Sequence, residues 1–367
     1  MHGGLRERRG FRALRGGVTP TLGERVLAGD ARAIARAISL IEDEDPSSAE
    51  LVRSIFGRTG RAYLIGVTGP PGAGKSTLVD RLVTAFRTHT PQTTQTSHGA
   101  NTAEDPRRPS LEEKQGSAVS AAFAFPPSVG VIAVDPTSPF SGGAVLGDRL
   151  RMQAHAQDAG VFIRSMATRG HLGGLARATG DAALVLDAAG TDLIVIETVG
   201  VGQDEVDIIR TADVSIVTLV PGTGDEVQAL KAGIMEIADI FVVNKADREG
   251  ADRLVSAVEA NLSLHTYASG DWRPPIVKTA ATSGAGVSEL VAAIGAFRAH
   301  SQAAQASRRK ARSEYRLREL VSQQFMSHLE REVLAAGELE EMVDRIASRA
   351  LDPYTAAGDL LTRALRR

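Results

Sequence analysis

Residues 62–86 read AYLIGVTGPPGAGKSTLVDRLVTAF. Within them Gly69-Pro70-Pro71-Gly72-Ala73-Gly74-Lys75-Ser76 fits the pattern G-x-x-x-x-G-K-[ST]. An apolar run enters the motif and a stretch of helical period leaves it, the strand–loop–helix context that gives the pattern meaning. Glycine lets backbone N–H groups converge on a phosphate without Cβ clashes. The helix behind the loop adds the positive end of its dipole. Lys75 supplies a point charge for β- and γ-phosphates, and Ser76, followed by Thr77, a hydroxyl for Mg²⁺. The chain has 6 Lys among 42 basic residues, and this position is one that Arg fills poorly.

Outward from this stretch, short apolar runs alternate with helical ones. The runs are AYLIGVT (62–68), VGVIAVD (129–135), VFIRS (161–165), DLIVIET (192–198), VSIVTLV (214–220), DIFVVN (239–244) and PPIVKT (274–279). Such continuous runs suit strands buried on both faces of a parallel sheet. The stretches STLVDRLVTAF and VSELVAAIGAF have helical period. The fold class is α/β: a doubly wound, mostly parallel sheet in a P-loop domain over 61–303, with helical extensions at both ends. Residues 88–128 break the pattern, being rich in Thr, Ser, Gln and Pro. They read as a disordered insertion between the first helix and the second strand.

Residues 1–20 read as a flexible, Arg-rich terminus. Their composition is compatible with a frayed cytoplasmic start or, alternatively, with a transit peptide into the mitochondrial matrix. Residues 21–60 form a helical extension: one amphipathic helix from Leu22 to Ile41, a break at Asp45-Pro46-Ser47-Ser48, then a short helix that Ser48 caps and Gly57 ends. Over 304–367 two apolar stripes appear. Leu317, Leu320, Val321, Phe325, Leu329, Val333 and Leu334 form the first; Leu339, Met342, Val343, Ile346 and Leu351, after Gly337, form the second. They predict two antiparallel helices that bury these stripes against each other, the core or a second subunit.

A second motif, Asn244-Lys245-Ala246-Asp247, ends the DIFVVN run. It has the N-K-x-D form by which GTPases read guanine. The Asp247 carboxylate can accept from guanine N1–H and the exocyclic amine, a donor pair that adenine lacks. Bidentate base contacts of this kind discriminate by ~1–3 kcal/mol. Asn244 is placed to tie two loops together, and Lys245 to lie along the base or the phosphate loop. Asp247 is equally able to cap the helix DREGADRL. Ala280, Ala281 and Thr282, after the last strand, are placed to close over the base with backbone groups.

Acidic residues stand at other strand ends. Asp135 ends the second strand, Asp148 lies in Leu146-Gly147-Asp148-Arg149, and Glu197 ends a strand in Glu197-Thr198-Val199-Gly200. In a parallel sheet these ends open onto one crevice. Carboxylates there are candidate Mg²⁺ ligands beside Ser76, the alternatives being turn and cap roles. Gly200 allows an N–H to approach the γ-phosphate, and Gln203 is a candidate for positioning the attacking water. Thr168–Gly174 and Pro221–Asp225 read as mobile loops on the same face.

Composition narrows the rest. The 367 residues carry a formal charge of -2, which argues against a general nucleic-acid binder. Cysteine is absent, so disulfides, thiolate metal sites and Cys nucleophiles are excluded. The 8 His show no zinc-ligand spacing. No run of about 18 apolar residues is present, so no membrane span is expected.

Several long motifs recur together: GPPGAGKST, AVDPTSPFSGGAVLGDRLRM (133–152), ETVGVGQDEVD (197–207), PGTGDEVQALKAGIMEIADIFVVNKAD (221–247) and DPYTAA (352–357). With them the chain resembles the MeaB/ArgK/MMAA proteins, a branch of the P-loop GTPases, from about residue 20 to the end apart from 88–128. The resemblance implies a homodimeric, Mg²⁺-dependent GTPase that binds GTP and GDP. It implies a chaperone of adenosylcobalamin-dependent methylmalonyl-CoA mutase, or of a related acyl-CoA mutase, that gates cofactor loading and protects or reactivates the mutase. It puts Lys75 and Ser76 at the phosphates, Asp135, Asp148 and Glu197 around the metal, and Asp247 at guanine. It makes Gly222–Lys231 a switch loop facing the mutase and 304–367 a dimerisation arm. An older label of the family, a kinase linked to basic-amino-acid transport, is the alternative; it would need ATP and a protein acceptor.

Overall fold

The computed structural model describes residues 19–88, 126–135, 152–167, 174–198, 211–222 and 237–366. They fall into two compact units, one ending at His300 and the other starting at Ser301. In the first, seven strands form one sheet in the order β3-β2-β4-β1-β5-β6-β7. The strands are β1 (Tyr63–Thr68), β2 (Val129–Asp135), β3 (Val161–Ala167), β4 (Leu193–Glu197), β5 (Val214–Leu219), β6 (Ile240–Val243) and β7 (Ile276–Lys278). Every pairing is parallel, and β1 lies between β4 and β5, with Ile65 opposite Val195 on one side and Val214 on the other. Each apolar run named above falls on one of these strands, and β3 continues two residues beyond VFIRS.

Alternate residues of the runs enter opposite cores, as the period-2 geometry of a strand demands. Ile65 and Val67 of β1, Val131 of β2 and Val195 of β4 pack with α4 (Lys75–Thr88) on one face. Ile132, Val134, Ile194 and Ile196 point the other way, onto α5 (Gly174–Ala188). Val217, Leu219, Phe241 and Val243 meet α6 (Ala251–Leu262). Helix α7 (Val287–Ser301) covers the α4 face through Leu290, Ile294 and Phe297. The burial on both sides explains why the runs lack polar alternation.

The N-terminal extension packs on the α5 face through Val26, Ile34, Ile38, Ile41, Leu51 and Ile55. The single helix expected from Leu22 to Ile41 is in fact two, α1 (Leu22–Leu27) and α2 (Ala31–Glu42). Gly29 turns the chain at a φ of 74°, and the Asp30 carboxylate caps α2 by accepting from the Arg32 and Ala33 N–H groups. Gly followed by Asp is the stop-and-restart signal that the apolar period concealed. Helix α3 (Ser48–Phe56) ends at Gly57 as expected, but Ser48 does not cap it. The cap position is Ser47, whose N–H and hydroxyl both donate to Asp45. Beyond α3 the buried Asp187 of α5 accepts from the N–H groups of Gly60, Arg61 and Ala62, fixing the entry into β1.

The second unit holds three helices rather than two: α8 (Gln305–His328), α9 (Glu338–Ala347) and α10 (Pro353–Leu365). A π-helical turn, Leu329–Val333, follows α8. The third helix escaped the apolar pattern because its signal is a cap: Asp352 accepts from the Tyr354 and Thr355 N–H groups, with Pro353 in the first turn. Leu329, Val333, Met342 and Ala356 are buried, whereas Leu317, Val321 and Val343 of the stripes are exposed. No helix among the described residues is long and apolar enough to cross a membrane.

Candidate functional site

The loop after β1 runs back along the carboxyl end of the sheet. Gly69 has a φ of 140°, and a Cβ on it would stand 2.0 Å from the Thr218 carbonyl oxygen of β5. No other residue fits there. Gly74 has a φ of 82°, and a Cβ would meet the Asn244 amide nitrogen at 2.6 Å. The loop closes on itself through Ala73 N–H to the Pro70 carbonyl at 3.1 Å, while Pro71 and Gly72 are exposed. α4 starts at Lys75. The buried Lys75 ammonium folds back over the loop and donates to the Gly69 carbonyl at 2.7 Å and the Pro70 carbonyl at 3.1 Å.

Behind Lys75, the Ser76 hydroxyl donates to Glu197 Oε1 at 2.6 Å, and both side chains are buried. Glu197 reaches it because β4 is the neighbour of β1, with Val67 and Glu197 in register. One step on, the Thr198 hydroxyl donates to Thr68 Oγ1 at 2.9 Å. A hydroxyl and a carboxylate are hard oxygen donors, the type that Mg²⁺ accepts. Asp135 ends β2, next to β4, with Ala133 and Glu197 in register; the described structure does not extend to its side chain. Asp148, Gly200 and Gln203 lie outside the described residues, as do loops 168–173 and 223–236 and nearly all of 88–128.

Across the loop, Asn244 is the junction. Its Nδ2 donates to the Ala73 carbonyl at 2.8 Å, and its Oδ1 accepts from Thr279 Oγ1 at 3.0 Å and Ala281 N–H at 3.1 Å. Lys245 sits at a φ of 55° and donates through Nζ to the Gly72 carbonyl at 2.7 Å. The two side chains thus lock the second motif onto the first. Asp247 is exposed and does not start a helix, since α6 begins at Ala251 with Gly250 as its cap. The cap alternative for Asp247 therefore falls. Ala280 pairs with Ala285, and the Ser283 and Gly284 N–H groups both donate to the Ala280 carbonyl, making a tight turn with Thr282 at its exposed tip.

Sequence reasoning missed the polar contacts that anchor α4. Arg81 on α4 donates to the Ala281 and Thr282 carbonyls, each at 2.9 Å. Asp80 meets His155 at 3.0 Å, and Arg87 holds Asp158 at 2.7 Å. Arg87 is the main reason that the Asp158 carboxyl sits below its ordinary range, with the Gly160 N–H adding to it. No pattern of spacing marks these residues, because charges on a helix read by default as a solvated face.

A parallel sheet with a glycine loop at its central strand, joined by Asn244 and Lys245 to a second loop two strands away, defines a P-loop nucleoside triphosphatase. A family model described as methylmalonyl-CoA mutase-associated GTPase MeaB matches residues 34–94 and 124–333. The chain belongs to this MeaB family of GTPases. A Pyrococcus abyssi protein that bears a GTPase name is 46% identical over 342 residues, 92% of this chain and 94% of its own. The mouse protein named methylmalonic aciduria type A homolog, mitochondrial, is 30% identical over 364 residues, 93% of this chain and 78% of its own. A crystal structure titled LAO/AO transport system kinase superposes with a TM-score of 0.62 at 24% identity, covering 93% of this chain and 95% of that one, and shares the fold. The chain is accordingly a GTP hydrolase, with GTP and GDP as its nucleotides and Mg²⁺ as the usual partner ion.

Proposed function

We propose that the chain is a GTP-hydrolysing chaperone of an adenosylcobalamin-dependent methylmalonyl-CoA mutase, or of a related acyl-CoA mutase. It gates cofactor loading, protects or reactivates the mutase, and works as a homodimer. The family description and the name of the mouse relative support this partner. The exposed Leu317, Val321 and Val343 of the second unit suit an arm that a second copy covers.

The chemistry is attack of water on the γ-phosphate of GTP, in which the protein contributes position and charge. Backbone N–H groups of the loop from Gly72 to Ser76 hold the phosphates, since Pro70 and Pro71 have none to offer. Lys75 exchanges the Gly69 and Pro70 carbonyls for phosphate oxygens, a short movement of a flexible stem. Ser76 and Glu197, with Asp135 and Asp148, would hold Mg²⁺, which when bound neutralises charge on the phosphates. Gly200 offers an N–H to the γ-phosphate and Gln203 orients the water. Asp247 accepts from the guanine edge, and the Ala280–Thr282 turn lies over the base. The kinase alternative needs an adenine nucleotide, and an accepting carboxylate at Asp247 suits guanine instead.

One observation carries the nucleotide part of this reading: the Asn244–Ala73 hydrogen bond, which sets the base-side loop against the phosphate loop. The partner is tested by co-purification with candidate cobalamin-dependent mutases, with and without a non-hydrolysable GTP analogue. A nucleotide-dependent complex is expected. Failure to retain any such mutase in either condition overturns the chaperone reading.

A further inference from the structure

We propose that Arg81 is a positioning residue for base selection, through which the phosphate-binding helix holds the 280–285 turn in the shape that prefers guanine. The inference rests on the guanine reading above and extends it to a residue outside both motifs.

Ala281 is held from two sides. Its N–H donates to Asn244 Oδ1 at 3.1 Å, and its carbonyl accepts from Arg81 Nε at 2.9 Å. The second arm of the same guanidinium takes the next carbonyl, Thr282, also at 2.9 Å. Two successive carbonyls thus meet one planar fork, a geometry that Lys cannot reproduce. Arg81 is half-buried and comes from α4, the helix that Lys75 begins. The phosphate end and the base end of the site are therefore linked by two sets of bridges, Asn244 to Ala73 with Lys245 to Gly72, and Arg81 to 281–282.

The Arg81 bridge bears on selectivity because of what Asp247 cannot do. A carboxylate only accepts. Guanine carries an acceptor, O6, where adenine carries an amino donor. Discrimination at that atom requires a donor, and the turn beside Asn244 has one to offer. The Thr282 N–H makes no hydrogen bond among the described residues. Its placement depends on the two carbonyls that Arg81 grips.

Arg81→Ala and Arg81→Lys are compared with the wild type for GDP and ADP affinity, by displacement of a fluorescent GDP, and for GTP turnover. Arg81→Ala is expected to weaken GDP about tenfold, the scale of one charge-assisted contact. ADP should stay within about twofold, so that the GDP-to-ADP ratio falls. KM for GTP should rise with kcat nearly unchanged, and Arg81→Lys should recover part of the ratio. Equal weakening of GDP and ADP, or an unmoved ratio, overturns the proposal and leaves Arg81 a plain strut. Should Arg81→Ala not fold, the ratio in Arg81→Lys decides alone. A wild type without preference for GDP overturns the guanine reading and this inference with it; a selective wild type with unmoved variants overturns the inference only.

Discussion

The side-chain amide of Asn244 donates to the Ala73 carbonyl at 2.8 Å, across 171 positions of chain. The same side chain accepts from Thr279 and Ala281, and it is 1% exposed. Asn244→Ala would leave a carbonyl, a hydroxyl and an N–H without this partner in a buried place. A destabilisation of about 2–4 kcal/mol is expected in urea unfolding. A loss well under 1 kcal/mol would show that the junction carries no weight in the fold.

Lys75→Ala removes the charge that now lies over the Gly69 and Pro70 carbonyls. GTP turnover is expected to fall by about 10²–10³ or more, the range seen when one preorganised donor is lost. Phosphate release measures it. Unchanged turnover would remove the P-loop from the mechanism.

Asp247→Asn turns an acceptor pair into one acceptor and one donor. Xanthine presents a carbonyl where guanine has its amine, so preference should move from GTP toward xanthosine triphosphate by about 10–100-fold, the equivalent of ~1–3 kcal/mol. Competition binding with both nucleotides is the measurement. Retained selectivity for GTP would place base recognition elsewhere.

In the second unit Glu338 bonds Arg363 through both carboxylate oxygens, and Arg363 also donates to the Val333 carbonyl at 2.8 Å. Arg363 first, and the Ala335 N–H second, hold the Glu338 carboxyl down at about 2, from an ordinary 4.5. A value lowered in the folded state means stability that is present above the ordinary value and lost as pH falls. The stability gap between wild type and Glu338→Gln should therefore be level from neutral pH to about 5 and close between about 4.5 and about 2. Thermal melts of the full chain at stepped pH test this; a gap that widens on acidification would contradict it.

Much of the fold was legible because its signals are local. Seven apolar runs became seven strands, since burial on both faces leaves no room for polar alternation. Glycine spacing exposed the phosphate loop because a Cβ at Gly69 would strike Thr218. The split at Gly29-Asp30 and the helix started by Asp352 were missed for one reason: a cap is a single side chain, and an apolar period does not register it. Arg81, His155 and Asp158 were missed for another. Their partners lie far along the chain, and only the packing of α4 brings them together.

Strand β7 closes one margin of the sheet with three residues, and Pro274 and Pro275 precede it. Proline has no N–H to offer a neighbouring chain, and so short a ribbon gives an incoming strand almost nothing to zip onto. Copies of the protein that meet at this rim cannot extend the sheet into one another, which guards a large and fully parallel β-structure against runaway cross-strand growth on that side.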